Sequence, residues 1–144
     1  MKNNAVIKLL TDENCSCVIR KCDTIRIFRG RGVRDLLTLL HDEPDFTEGA
    51  FIADKVVGIG AAALMVLCRF GEVYAEIISS PARRMLDEAG IPYTYANEVA
   101  NIVNRAGDGI CPVERLCAEC TTAAECLPLI ENFAAGMAAA HKSA

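Results

Sequence analysis

Nowhere in this chain do about 18 or more apolar residues follow one another, so no membrane-spanning helix is expected. Met1 to Ala5 lack the charged segment and apolar run of a secretory signal, which makes a cytoplasmic location the expectation. Positive charge is not in excess either: 15 lysines and arginines stand against 19 aspartates and glutamates, for a net charge of −4 and a pI near 5.2. That balance removes the electrostatic footprint of a general nucleic-acid binder. The one basic concentration, Arg20, Lys21, Arg26, Arg29, Arg31 and Arg34, reads as the solvated side of a hairpin and the start of the next helix, so a nucleic-acid partner is not expected. Internal repeats, linkers and low-complexity segments are missing as well. The 144 residues therefore read as one domain, 1–144, able to bury about two-thirds of its unfolded surface. Cysteine, by contrast, is plentiful at eight residues. Without a signal sequence, and with a core rich in Val, Ile, Leu and Ala, these read as reduced thiols rather than as a disulfide framework.

Two short β-favouring runs, Cys17-Val18-Ile19 and Ile25-Arg26-Ile27-Phe28, flank the turn-forming Lys21-Cys22-Asp23-Thr24 and predict a hairpin. Val33, Leu36, Leu37 and Leu40 then recur with helical spacing, and His41-Asp42-Glu43-Pro44 ends that helix, His41 favouring its dipole when protonated. Gly49-Ala50-Phe51-Ile52-Ala53 predicts a short buried strand. Asp54 follows as the cap of a central helix carrying Val56, Val57, Ile59, Ala63, Leu64 and Leu67, with Gly58 and Gly60 allowing close packing. Val73 to Ser79 predicts another strand, after which Ser80 caps a helix whose first position is Pro81 and whose end is Gly90. Ile91 to Tyr95 reads as a short strand. Asn97 to Val103 reads as a short helix with Val99, Ile102 and Val103 on its apolar side. Beyond Pro112 the chain reads as helical. Thr122-Ala123-Ala124-Glu125 has capping-box spacing, but Pro128 leaves a start near Cys126 in competition. Leu127, Ile130, Ala134 and Met137 give the helical extension, about residues 122–144, a core-facing stripe. The whole predicts a mixed sheet of about five strands with helices on both faces, a three-layer α/β/α sandwich.

Three constellations could carry chemistry. Asp54-Lys55, following a buried strand, could present a carboxylate and an ammonium at the carboxyl edge of the sheet, where open α/β folds keep their ligand sites, or could be a cap beside a solvated lysine. In Asn104 to Glu114, Pro112 suits the first helical position and puts Cys111 at the N-cap, where free N–H groups increase thiolate character. Glu114 then takes the third helical position, reaching back as in a capping box, while Gly107, Asp108 and Gly109 could wrap an anion with Arg105 nearby. The plainer alternative is that the glycines only make a turn and that Cys111 is a small buried cap, with no neighbouring histidine as base. The third is Cys111, Cys117, Cys120 and Cys126, which include the CxxC Cys117-Ala118-Glu119-Cys120. Four thiolates can hold zinc or an iron–sulfur cluster, but the outer gaps lack the second close pair of a zinc ribbon. An Ala-rich helical setting points to a buried face, so no metal and no cofactor is expected.

The segments Ala53-Asp54-Lys55-Val56-Val57-Gly58-Ile59-Gly60-Ala61-Ala62-Ala63, Val73-Tyr74-Ala75-Glu76-Ile77-Ile78-Ser79 and Asn104 to Glu114 resemble, in this order, the small bacterial family called domain of unknown function 1893, over about residues 8–127. The resemblance implies a cytidine deaminase-like fold and no established activity. Zinc deaminases carry H-x-E at the start of a central helix and P-C-x-x-C at the start of the next. Here Asp54-Lys55-Val56 and Ser80-Pro81-Ala82-Arg83 stand in those places, so the zinc motifs are missing. The expected function is binding of a small anionic or nucleobase-like ligand at a pocket lined by Asp54, Lys55, Ser79, Ser80, Arg105, Asp108, Cys111 and Glu114. Two alternatives stay open. One is an enzyme in which Cys111 is the nucleophile, Lys55 or Arg105 binds charge and Glu114 or Asp54 moves protons. The other is a structural or protein-interaction module, with a homo-oligomer through the Ala-rich last helix.

Overall fold

In the structure, a computed structural model that describes residues 2–30, 33–104 and 106–143, the chain begins with helix α1 (Lys2–Asp12), an element outside the expectations above. Strands β1 (Cys17–Lys21) and β2 (Thr24–Phe28) form the expected hairpin, with Cys17 opposite Phe28 and Lys21 opposite Thr24. Helix α2 (Arg34–Asp42) buries Leu36 and Leu39, and the single turn α3 (Pro44–Thr47) follows. Strand β3 (Phe51–Val57), helix α4 (Ile59–Leu67), strand β4 (Glu72–Ser79), helix α5 (Ser80–Ala89) and strand β5 (Tyr93–Val99) then alternate. The short helix α6 (Pro112–Leu116) and the long helix α7 (Ala123–Ser143) close the chain.

The sheet has five strands in the order β2-β1-β3-β4-β5; β1 runs antiparallel to both β2 and β3, and β3, β4 and β5 are parallel. Helix α1 covers one face, burying Val6 and Leu10 against Val18, Phe51 and Ala53. On the other face Ile19, Ile52, Val57, Val73 and Ala75 meet Leu36, Leu64, Leu86 and Ile130 from four helices. The result is a three-layer α/β/α arrangement whose centre is α4, buried from Ile59 through Met65. A helix apolar on every side can only sit inside such a layer. Gly60 matters here, because a methyl group added to it would run into the Val113 side chain and hold α6 away from α4.

Two of the expected elements are different. Asp54 does not cap the central helix: β3 continues through it to Val57, and Gly58 is the N-cap. Pairing with β4, in which Asp54 stands opposite Ala75 and Val57 opposite Ile78, extends the strand despite two residues with poor strand preference. Asn97 to Val103 is not helical either. Residues Asn97 to Val99 pair with Ile77 to Ser79 on β4, leaving Val99 37% and Val103 63% exposed where an inward apolar stripe was expected. At α5 the cap shifts by one residue, to Ser79, whose Oγ accepts the Ala82 N–H, and Gly90 ends the helix in the left-handed region at φ 74°. The capping box resolves the start of α7: the Thr122 Oγ1 accepts the Glu125 N–H at 3.3 Å and donates to the Glu125 carboxylate at 3.1 Å. Pro128 lies inside the helix, its lost hydrogen bond tolerated while Ile130 is fully buried.

Candidate functional site

The carboxyl ends of β3 and β4 lead directly into α4 and α5, so two helix amino termini lie at one edge of the sheet. Glu114 is lodged between them, 3% exposed. It occupies the third position of α6 as expected, but does not reach back to its own cap. Its Oε1 accepts the Ile59 N–H at 2.9 Å and the Ser79 hydroxyl at 2.9 Å, and its Oε2 accepts the Ile102 N–H at 2.6 Å. Ser79 thereby joins the starts of both helices, since the same oxygen accepts from Ala82 at 3.3 Å. Hydrogen bonds to a charged group contribute about 1.5–3 kcal/mol each, and the amino end of α4 adds a favourable partial charge. The protein's own carboxylate thus fills the position in which these two helix starts would bind an anion. Glu114 serves as a clamp between α4, β4, α6 and the segment around Ile102.

The other expected site residues are dispersed. Lys55 donates to the Asn14 side chain at 3.2 Å, beyond the end of α1, whereas Cys111 packs against the core on the opposite side of the sheet. The structure does not bring these two together. Asp54, next to Lys55 in a strand and so directed to the other face, accepts the Val56 N–H at 3.3 Å. Burial pushes its carboxyl group up to about 7, with the charge of Asp35 adding to the rise and hydrogen bonds from Val56 and Lys55 opposing it. Cys111 is the N-cap of α6 and Pro112 its first residue, yet the thiol makes no capping hydrogen bond and the helix has only five residues. The Cys111 N–H donates to the Ile102 carbonyl at 2.8 Å, which ties the cap to the segment that Glu114 holds. Ser80 belongs to a surface network: it donates to Glu98 at 2.8 Å, and Glu98 pairs with Arg83 at 2.7 Å.

Gly107, Asp108 and Gly109 form a turn closed on Asn104, a residue to which the sequence reading gave no role. The Asn104 Oδ1 accepts the N–H groups of Gly107 at 2.9 Å and Asp108 at 3.3 Å, and its amide donates to the Asp108 carboxylate at 2.9 Å. Two of the backbone donors expected to wrap an anion, the N–H groups of Gly107 and Asp108, are therefore already engaged within the turn. Arg105, like Arg31, lies outside the described residues.

A cavity of about 260 Å³ opens beside this edge, and among the described residues none of those expected to line the ligand pocket borders it. Its walls are Ile59 at the start of α4, Pro81, Arg84, Met85 and Glu88 along α5, and the Ala118–Thr121 connection between α6 and α7. Arg84 and Glu88, four residues apart on α5, were the signal available in the sequence, a polar strip beside the apolar face of that helix. The cavity also receives Cys120, one of three thiols that converge: the sulfurs of Cys117, Cys120 and Cys126 all lie within 4.8 Å of one another. Cys111, the fourth member of the series, is not in this group. Burial pushes the Cys117 thiol up to about 11, and Cys126 is raised further by burial and by its neighbouring thiols.

A family model described as "Domain of unknown function (DUF1893)" matches residues 5–134. Among solved structures, the crystal structure of a DUF1893 family protein from Thermotoga maritima is similar to this chain, with a TM-score of 0.81 and 21% identity, over 90% of this chain and 87% of that one. At that identity the likeness concerns the fold. None of the curated proteins compared with the chain matches it. Because the family model spans nearly the whole sequence, including both helix starts and Glu114, the chain belongs to the DUF1893 family.

Proposed function

We propose that the chain is a deaminase-like domain that binds a small, nucleobase-like molecule in the cavity beside α5. The cavity itself carries this reading: about 260 Å³ at the carboxyl edge of parallel strands, with Ile59, Pro81 and Met85 as apolar wall and Arg84, Glu88, Glu119 and Thr121 as polar groups. Its volume is below the roughly 300 Å³ at which pockets for drug-sized molecules begin, so it suits one flat ring system rather than a nucleotide. Two carboxylates against one guanidinium make a strongly anionic ligand unfavourable and supply both acceptors and donors for the edge of a base. The deaminase-like reading is supported by the antiparallel hairpin feeding parallel β3, β4 and β5, and by two adjacent helix starts. Those starts are Gly58-Ile59-Gly60 and Ser80-Pro81-Ala82-Arg83, neither of which holds the zinc ligands of a deaminase, and Glu114 occupies the space between them. The zinc mechanism of deaminases therefore has no ligand set at this place, and the proposal is binding.

The test is a thermal-shift and calorimetric series with free nucleobases, nucleosides and inorganic phosphate. A base present at 100 times its Kd is expected to stabilise the protein by about 2.7 kcal/mol, and to do so less in Arg84→Ala and Glu88→Ala. Absence of any shift with bases, or a shift that both variants retain in full, would overturn the proposal.

A further inference from the structure

The eight cysteines are not used alike. Cys15 directs its thiol to the Leu9 and Leu10 carbonyls at 3.9 and 4.0 Å, and Cys68 to the Leu36 carbonyl at 3.8 Å, the usual arrangement for an isolated buried thiol. Cys117, Cys120 and Cys126 instead face one another. Local structure explains the convergence. Cys117 ends α6, and the Cys120 N–H donates to the Cys117 carbonyl at 3.0 Å, closing a turn that folds the CxxC upon itself. The Thr122–Glu125 capping box then fixes the start of α7, and Cys126, one turn into that helix, is brought back against the turn. Cys117 and Cys126 are fully buried, while Cys120 is half-buried and reaches the cavity.

We propose that Cys117, Cys120 and Cys126 bind one thiophilic divalent ion of the zinc class, with the fourth coordination position open toward the cavity. Two thiolates on a tetrahedral zinc with bonds of about 2.3 Å stand about 3.8 Å apart, a spacing reached from the observed arrangement by small side-chain rotations. A four-iron cluster, whose cysteines bind separate irons, needs a wider triangle of sulfurs than the 4.8 Å limit found here. On binding, the three thiols enter as thiolates and release their protons to solvent, and the open position takes water. Glu88 and Glu119 line the cavity onto which that position faces. The ligands come from the end of α6, the α6–α7 connection and the first turn of α7, and not from the two helix starts at which a deaminase holds its zinc. The ion site shares the cavity of the base-binding proposal through Cys120 but does not rest on that proposal.

The test is metal analysis of protein purified without oxygen, together with cobalt(II) titration of the metal-free protein. One equivalent of zinc is expected, as is a thiolate-to-cobalt charge-transfer band saturating at one cobalt per chain. Cys120→Ser, at a half-exposed position, is expected to keep the wild-type circular dichroism and to weaken cobalt binding at least about 10-fold, since one of only three protein ligands is lost. Cys22→Ser, on the exposed hairpin turn, serves as the control and leaves the titration unchanged. No charge-transfer band in the wild type, or an identical titration in Cys120→Ser, would overturn the proposal. Nucleobase shifts recorded on metal-free and loaded protein separate failure of this site from failure of base binding.

Discussion

Glu114, on the short helix α6, and Cys117, the residue that caps its end, are three residues apart, and they define two kinds of buried polar group. The Glu114 carboxylate meets a fixed donor on every side that the fold presents: Ile59, Ser79 and Ile102. The Cys117 sulfur meets two more sulfurs. A satisfied group holds a structure together and leaves nothing for a ligand, whereas groups of one kind gathered without a complementary partner leave a position to be filled. The carboxyl edge of the sheet is therefore divided between a closed junction and an open one.

The largest expected effect lies at the closed junction. Glu114→Ala leaves the buried Ile59 N–H and the half-buried Ile102 N–H without a partner, and breaking such a charged network is expected to destabilise the protein by about 3–5 kcal/mol in urea unfolding. Glu114→Gln retains the shape but turns one acceptor into a donor facing N–H or O–H groups, at a cost of about 2 kcal/mol. If both variants lost less than about 1 kcal/mol, the closed junction would not be the clamp described and the comparison would fail. Gly60→Ala acts on the same junction from the packing side. The added methyl group meets Val113 and moves α6 from α4, with an expected loss of about 1–3 kcal/mol and a weaker hold on Glu114.

Asp54 sharpens the comparison, being a carboxylate on β3 with far poorer partners than Glu114 has. Its folded-state pKa of about 7 lies above the ordinary 3.8, so between those values the native state binds more protons than the unfolded chain. This group's contribution is fully present below 3.8 and is lost as the pH rises toward 7. Asp54→Asn removes that loss. With allowance for solvent screening of a half-buried group, the variant is expected to be more stable than the wild type by about 1–2 kcal/mol at pH 8 and equal to it near pH 4. Equal stability at both pH values would mean that Asp54 is as well accommodated as Glu114.

How much of this was legible in the sequence depends on how far each determinant reaches along the chain. The α2 helix with Val33 and Leu36 turned inward, the β1–β2 turn and the Gly90 stop are settled within a few residues, and they read correctly. Leu39, by contrast, takes the buried place expected of Leu37 and Leu40, and the start of α7, open in the sequence between Thr122 and Cys126, falls at the Thr122 capping box. The extent of β3 and β5 was not legible, because parallel pairing with β4 outweighs the local preferences of Asp54, Lys55 and Asn97. The position of Glu114 could be read, but its partners, 55, 35 and 12 residues away, could not. The CxxC was visible, whereas its meeting with Cys126 depends on the turn at Thr121–Thr122 and on where α7 begins. The Gly107–Gly109 loop looked like a ligand cradle because glycine and aspartate allow that geometry. Asn104, three residues before Gly107, uses two of those donors, the Gly107 and Asp108 N–H groups, to close the turn.

The smallest expected effect is the one that separates the two junctions. In metal-free protein Cys120→Ser exchanges one half-exposed small side chain for another, and the cost is expected to stay below about 0.5 kcal/mol. Zinc changes that. At 100 times its Kd a bound ion stabilises the wild type by about 2.7 kcal/mol, which at about 2–4 °C per kcal/mol for a chain of this size raises Tm by roughly 5–11 °C. Cys120→Ser, with its weakened site, is expected to keep only a fraction of that rise. A substitution whose cost appears only when the ion is present identifies an open junction, whereas Glu114→Ala is costly with or without metal. If Cys120→Ser instead costs the same in both states, the three thiols are packed core like Cys68, and the carboxyl edge holds one closed junction and a cavity with no ion beside it.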